Sequence, residues 1–195
     1  RNLPIVAIVG RPNVGKSTLA NALIGDERML TGPEAGLTRD TIATDIVHAG
    51  RRVRLYDTAG LRRKARIEAR AEQLAVADTL RAIRFAEVVV LLADAERGIE
   101  KQDLTIADLA AEEGRAVVIA VNKWDAVDAT AHGKARRDYA RKLDFLDFAP
   151  LHQISARSGA GVDKLLNSVK VCYASAMAKL STPRLTRVLH AAVEQ

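Results

Sequence analysis

Residues 10–17 have the composition and spacing of a loop that binds phosphate groups. They read Gly-Arg-Pro-Asn-Val-Gly-Lys-Ser, a full match to the pattern GxxxxGK[ST]. Backbone N–H groups of such a loop point inward at phosphate oxygens, and the helix that follows adds a partial positive charge. We expect Lys16 to reach the β- and γ-phosphates and the Ser17 hydroxyl to coordinate Mg²⁺. The residues expected to contact a nucleotide here are Gly10, Arg11, Pro12, Asn13, Val14, Gly15, Lys16, Ser17 and Thr18.

A second polar segment, Asn122-Lys123-Trp124-Asp125, could read the base of a nucleotide. It follows an apolar run at 117–121, and ligands of open α/β sheets bind at the carboxyl ends of the strands. The Asp125 carboxylate can accept hydrogen bonds from N1–H and the 2-amino group of guanine, whereas adenine would leave it unpaired. We expect Asn122 and Lys123 to brace this loop and the phosphate loop.

A third segment, Ser155-Ala156-Arg157, follows the next apolar run and could offer backbone N–H groups to the guanine O6. Either motif alone also fits a polar turn that caps a helix. Their order along the chain favours guanine, because phosphate loop, DxxG, NKxD and SA each follow a predicted strand.

Residues Asp57-Thr58-Ala59-Gly60 end the apolar run at 53–56 and could sense the γ-phosphate. We expect Asp57 to hold a magnesium-bound water and the Gly60 N–H to bond the γ-phosphate. The residues expected to contact the nucleotide here are Asp57, Thr58, Ala59, Gly60 and Leu61.

Thr38 lies upstream in the turn-rich stretch 31–40 and is the candidate for a second Mg²⁺-binding hydroxyl. The neighbouring Thr41 and a simply solvated loop threonine remain alternatives. Segments of this kind are ordered by γ-phosphate and Mg²⁺ and released after hydrolysis.

Short apolar runs alternate with helical patterns along the chain, which predicts an α/β fold with a doubly wound, mostly parallel sheet. The predicted strands are 5–9, 53–56, 88–93, 117–121 and 151–154. The predicted helices are 16–25, 68–84, 102–113, 134–146 and 162–180, with a further short helix from Thr182. In the fifth helix we expect one apolar face to run from Val169 to Leu180.

Length and composition indicate one globular domain. The 195 residues are 48% hydrophobic, with a net charge of +6 and one cysteine. These values exclude a disulfide scaffold, and no apolar run reaches the roughly 20 residues of a membrane span. The start of the chain lacks a signal-peptide pattern, so a reduced cytosol is the default compartment.

The basic stretch 61–70 concentrates the positive charge. It has five basic residues and one Glu, a local charge of +4, directly after Gly60. One interpretation is a solvated helix start. The other is a contact with a nucleic-acid backbone or a partner domain that changes with the nucleotide state.

The chain resembles the second G domain of the EngA (Der) family of GTPases. The resembling segments are GRPNVGKSTLANALIG, GPEAGLTRDTI, DTAGLRRKARIE, NKWD and SARSGAGV. The resemblance implies a P-loop GTPase fold with a six-stranded sheet, one strand being antiparallel near 42–49. It implies a G domain over 1–181 and a connector helix over 182–195 that leads to a KH-like domain absent from this chain.

The family resemblance also implies a function and partners. Members of this family bind GTP and GDP, hydrolyse GTP and act in assembly of the large ribosomal subunit in the bacterial cytoplasm. The implied partners are that subunit and its RNA, a neighbouring G domain and the KH-like domain, with no membrane. Two other functions remain open: a GTP-gated ribosome-binding module in which hydrolysis only resets binding, and an ATP-dependent enzyme.

The expected hydrolysis lacks one familiar group, because Leu61 stands where Ras-type GTPases have a glutamine that orients water. Relatives with asparagine at the position of Asn13 use K⁺, so the resemblance makes Asn13 a K⁺ ligand, the alternative being a loop cap. The residues expected to act in catalysis are Lys16, Asn13, Thr38 and Gly60. Arginines considered as internal cationic stabilisers are Arg11, Arg39, Arg62 and Arg63.

Overall fold

A computed structural model describes residues 3–25, 43–56 and 72–194. The strands are β1 (Ile5–Val9), β2 (Ala43–His48), β3 (Arg51–Tyr56), β4 (Val88–Asp94), β5 (Ala116–Asn122) and β6 (Leu151–Gln153). The helices are α1 (Lys16–Gly25), α2 (Glu72–Phe85), α3 (Lys101–Glu112), α4 (Ala129–Lys142), α5 (Val162–Ala176) and α6 (Thr182–Val193). Short 3-10 turns cover Trp124–Ala126 and Asp144–Leu146.

The strands form one six-stranded sheet in the order β2-β3-β1-β4-β5-β6. Among the strands of the described residues, β2 alone runs antiparallel, paired with β3 from Ala43 opposite Tyr56 to His48 opposite Arg51. The other neighbouring strands are parallel. The predicted doubly wound, mostly parallel sheet is confirmed, and β2 lies inside the range 42–49 expected for the antiparallel strand.

Strand β4 lies at the centre of the sheet and divides the core into two layers. All seven of its residues are buried. Val88, Val90 and Leu92 pack with α1 and α5, whereas Val89, Leu91 and Ala93 pack against α3 and α4. Successive side chains of a strand point to opposite faces, so a continuous apolar run is what a strand covered on both faces requires.

Both ends of helix α4 differ from the sequence prediction by several residues. Helix α4 begins at Ala129 instead of residue 134, because the Asp128 side chain caps it by accepting from the Thr130 N–H at 3.0 Å. It ends at Lys142, and the predicted residues 143–146 form a 3-10 turn.

Helix α5 ends at Ala176, so the predicted apolar face does not reach Leu180. Val169 is buried and Cys172 and Tyr173 pack against the core, but every residue from 174 to 180 is exposed. Beyond Tyr173 the helix has no core to pack against, so burial no longer stabilises a further turn.

Helix α6 carries an apolar face, and none of its residues is buried. Ser181 is its N-cap and Pro183 lies in its first turn. Leu185, Val188 and Leu189 are exposed, so this face is not part of the buried core. Within the described ranges, no helix combines the length and apolarity needed to cross a bilayer.

Candidate functional site

Three loops meet at the carboxyl-end edge of the sheet. Residues 10–15 follow β1, residues 123–125 follow β5, and residues 155–157 follow β6. Parallel strands end at a common edge, so segments far apart in sequence become neighbours there. The candidate site is therefore assembled by the sheet.

The phosphate loop has a backbone that two glycines make possible. Gly10 has φ +154° and Gly15 has φ +99°. A Cβ on Gly10 would lie 2.3 Å from the Leu92 carbonyl oxygen, and one on Gly15 would lie 2.3 Å from Asn122 Nδ2. Any side chain at these positions would disrupt the loop, since such approaches are shorter than a non-bonded contact allows.

Lys16 begins α1 and folds back across the phosphate loop. Its Nζ donates to the Gly10 carbonyl at 2.9 Å and to the Arg11 carbonyl at 2.6 Å. The ammonium is thus held at the mouth of the loop, where a phosphate would compete for it. Ser17 is the next residue of the helix and lies in its first turn.

Asn122 joins all three loops. Its Nδ2 donates to the Val14 carbonyl at 2.9 Å, and its Oδ1 accepts from the Ala156 N–H at 2.8 Å. Asn122 and Val14 are both buried. The amide therefore fixes the phosphate loop relative to residues 123–125 and 155–157, here called the base-side loops. This is the bracing expected of Asn122.

Lys123 braces a different partner from the one expected. Its Nζ lies 2.6 Å from Asp94 Oδ2, at the end of β4, and its backbone has φ +60°. Asp94 lies outside the predicted motifs, although a carboxylate that ends the most apolar strand at the ligand edge is a signal for a site residue. Lys123 therefore connects the base-side loop to the central strand.

Asp125 presents its carboxylate toward solvent and pairs with Arg157 at 3.0 Å. Its side chain is 35% exposed and that of Arg157 is 86% exposed. A hydrogen bond from Ser155, aided by Arg157, holds the pKa of Asp125 below its ordinary value. The group is ionised at neutral pH and can accept two donors from a base.

The backbone N–H groups of Ser155 and Ala156 already have partners in this structure. Ser155 N–H donates to the Ala160 carbonyl at 3.0 Å, and Ala156 N–H donates to Asn122 Oδ1. The expected donation from these two groups to a guanine O6 would require those hydrogen bonds to be shared or exchanged.

Arg11 turns away from the phosphate loop into the protein. Its guanidinium lies 2.7 Å from Asp103 and 2.6 Å from Glu100, and donates to the Gly98 carbonyl at 3.1 Å. Arg11 is 4% exposed and Asp103 is fully buried. Burial opposes the charge, but the hydrogen bond and charge of Asp103 outweigh it and raise the pKa of Arg11. Arg11 is thus a structural anchor here, and the idea of a cationic stabiliser at the phosphate is wrong for its side chain.

Several predicted site residues lie outside the described residues, and their placement is not part of the structure. They are Thr38, Asp57, Thr58, Ala59, Gly60 and Leu61, with Arg39, Arg62, Arg63 and the basic stretch 61–70.

Comparison with known families gives two matches. The model of the family described as 50S ribosome-binding GTPase matches residues 5–123. The model of the elongation factor Tu GTP binding domain matches residues 73–193.

Curated relatives cover nearly the whole chain. GTPase Der of Chromobacterium violaceum is 50% identical over 98% of this chain and 41% of its own length. GTPase Der of Bordetella petrii is 51% identical over 97% of this chain and 42% of its own length. The chain therefore spans about two-fifths of these relatives.

Solved structures share the fold. Bacterial selenocysteine-specific elongation factor EF-Sec superposes with a TM-score of 0.66 at 22% identity, covering 90% of this chain and 29% of that one. Era in complex with MgGDPNP and nucleotides 1506–1542 of 16S ribosomal RNA superposes with a TM-score of 0.61 at 25% identity, covering 86% of this chain and 56% of that one.

Proposed function

The chain belongs to the 50S ribosome-binding GTPase family, and on that premise we propose that it is a GTP-binding and GTP-hydrolysing switch in assembly of the bacterial large ribosomal subunit. One observation carries the proposal. Asn122 bonds the phosphate loop at 2.9 Å and the Ser155–Arg157 loop at 2.8 Å, and Asp125 follows it by three residues. A phosphate site and a carboxylate suited to guanine are therefore built as one unit.

Phosphate binding rests on groups that the structure already orients. The helix α1 N-terminus and the backbone of residues 10–15 favour an anion. A phosphate would take over Lys16 Nζ from the carbonyls of Gly10 and Arg11. Mg²⁺ would be held by Ser17 and Thr38 and, through water, by Asp57, and would neutralise charge on the phosphate oxygens.

Asn13 is our candidate ligand for K⁺. It is exposed, has φ +63° and belongs to the phosphate loop. None of the described residues hydrogen-bonds its side chain, which favours a cation ligand over a loop cap. We expect faster hydrolysis in KCl than in NaCl at equal ionic strength, measured as phosphate release; equal rates would remove K⁺ from the proposal.

The partners follow from the relatives rather than from the geometry. The relatives named GTPase Der are more than twice the length matched here, which supports a longer protein. The neighbouring G domain and the KH-like domain are proposed from the family resemblance. The apolar face of α6 fits a connector over 182–195 that leads toward the latter. Ribosomal RNA is the proposed nucleic-acid partner and the bacterial cytoplasm the proposed location.

The substitution Asp125→Asn tests the guanine site. We expect GDP affinity to fall at least about tenfold and xanthosine diphosphate to bind better, because an amide donor then meets the 2-oxo group. The measurement is calorimetric titration of both nucleotides, with ADP as a non-binder. Asp128→Asn is the matched control, since it makes the same change three residues away and keeps a helix cap.

The ribosomal role needs a separate measurement. Purified large ribosomal subunits should raise the GTP hydrolysis rate above the slow intrinsic rate, which resembles unassisted Ras at about 10⁻⁴–10⁻² s⁻¹. If the chain binds guanine nucleotides but large ribosomal subunits do not raise its hydrolysis rate, it acts only as a nucleotide-binding domain. That result would contradict a switch in ribosome assembly.

A further inference from the structure

We propose that Asp94 is a positioning residue for guanine recognition, which acts by holding Lys123 and through it the loop that carries Asp125. The inference rests on the proposed guanine site and adds a residue outside the nucleotide-binding motifs.

Asp94 is a buried carboxylate at the point where the central strand meets the ligand edge. Its side chain is 2% exposed, and its Oδ2 lies 2.6 Å from Lys123 Nζ. Its Oδ1 accepts from the Glu96 N–H at 2.9 Å. Burial opposes ionisation of Asp94, but the hydrogen bonds from Lys123 and Glu96 outweigh it and lower the pKa. Asp94 is therefore ionised at neutral pH, and hydrogen bonds to a charged group are stronger than those between neutral groups.

Lys123 is the point at which the base-side loop turns. Its φ of +60° is costly for a residue with a side chain, because the Cβ crowds the carbonyl oxygen. The residues on both sides of Lys123 are held by hydrogen bonds. Asn122, which precedes it, bonds the phosphate loop, and the N–H of Trp124, which follows it, donates to the Ile154 carbonyl at 3.2 Å. The ion pair with Asp94 holds this strained residue, and the direction in which Asp125 leaves the turn depends on it.

The backbone of Asp94 is held independently of its carboxylate. The Tyr139 hydroxyl of α4 donates to the Asp94 carbonyl at 2.6 Å, and Asp94 pairs in register with Asn122. Asp94→Asn keeps a side-chain oxygen for the Glu96 N–H and changes the charge that meets Lys123. It isolates the ion pair while those backbone contacts keep the strand end in place.

The experiment compares GDP with inosine diphosphate, which lacks the 2-amino group that Asp125 reads. We expect Asp94→Asn to weaken GDP binding about tenfold and inosine diphosphate binding less, so that the ratio of their dissociation constants narrows. Glu113→Gln is the control. Glu113 directly follows α3 and pairs with Arg84 of α2, at the end of the sheet opposite the candidate site. It should leave both constants unchanged.

A double-mutant cycle shows whether Asp94 acts through Lys123. Asp94→Asn added to Lys123→Met should weaken GDP binding no further than Lys123→Met alone. Equal losses for the two nucleotides, or additive losses in the cycle, would overturn the proposal. If Asp94→Asn does not fold, Lys123→Met alone must narrow the ratio of the inosine diphosphate and GDP dissociation constants. An unchanged ratio in that variant also overturns the proposal. A wild-type chain that binds ADP as well as GDP would instead contradict the proposed function.

Discussion

The phosphate side and the base side of the candidate site differ in where their arginine–carboxylate pairs lie. The phosphate loop is anchored from behind by buried groups, since Arg11 reaches Asp103 and Val14 bonds Asn122, all within the protein. On the base side the recognition group itself, Asp125, is exposed and pairs with the still more exposed Arg157.

The contrast follows from what each side must bind. A phosphate is held by several backbone N–H groups that must converge on one point, which requires a rigid and strained loop. A guanine edge is read by one carboxylate that must remain reachable, so that group cannot be buried before the base arrives. Rigidity on the base side therefore comes from two residues that shortly precede Asp125, Asn122 and Lys123.

The largest expected effect is the loss of the anchor behind the phosphate loop. Arg11→Ala leaves the Asp103 carboxylate buried without its cation, and breaking a buried pair from one side costs about 3–5 kcal/mol. Urea unfolding should show this fall in stability. Arg84→Ala breaks a pair whose arginine is 60% exposed and should cost at most about 1 kcal/mol.

A combined substitution sharpens this test. Arg11→Met with Asp103→Leu removes both charges together and should recover much of the lost stability, because neither charge is then left unpaired. If Arg11→Ala costs no more stability than Arg84→Ala, the buried pair with Asp103 anchors the phosphate loop no more strongly than an exposed pair would.

An intermediate effect is expected from Gly15→Ala. The added Cβ would lie 2.3 Å from Asn122 Nδ2, at a residue whose φ is +99°. This disturbs both the loop backbone and the hydrogen bond from Asn122 to Val14, and should lower the free energy of unfolding by about 1–3 kcal/mol. Titration with GDP should show weaker binding by about tenfold or more. Gly133→Ala in α4 is the control, since its Cβ meets only Arg137 Nη1 at 3.7 Å and should stabilise the helix by about 0.5–1 kcal/mol. If Gly15→Ala and Gly133→Ala change stability and GDP affinity equally, the phosphate loop does not depend on a glycine at residue 15.

The smallest effect is expected at the base-side rim. Arg157→Ala removes an exposed partner of Asp125, and such pairs contribute about 0–1 kcal/mol. GDP affinity should change by no more than about fivefold. A larger loss in the same titration would mean that Arg157 contacts the nucleotide directly and that the base side depends on more than Asp125.

Much of the fold could be predicted because its signals are local. The helix α1 over Lys16–Gly25 and the strand β1 over Ile5–Val9 begin and end where the apolar pattern and the phosphate-loop motif indicate. The end of α5 could not be predicted in this way. The residues up to Leu180 continue an apolar pattern, and only the extent of the core decides that the helix stops at Ala176.

The order of residues along the chain was enough to identify those that could bind phosphate and read a base, since their types and spacing carry that chemistry. Which side chains hold these residues in place became clear only from the folded arrangement. The supporting residues come from other parts of the chain. Asp94 pairs with Lys123, and Asp103 pairs with Arg11. The Tyr139 hydroxyl donates to the Asp94 carbonyl at the end of β4, and all three contacts form only when the sheet assembles. The physical reason is that a buried charge or hydroxyl requires a partner in space, and the chain order does not specify which one.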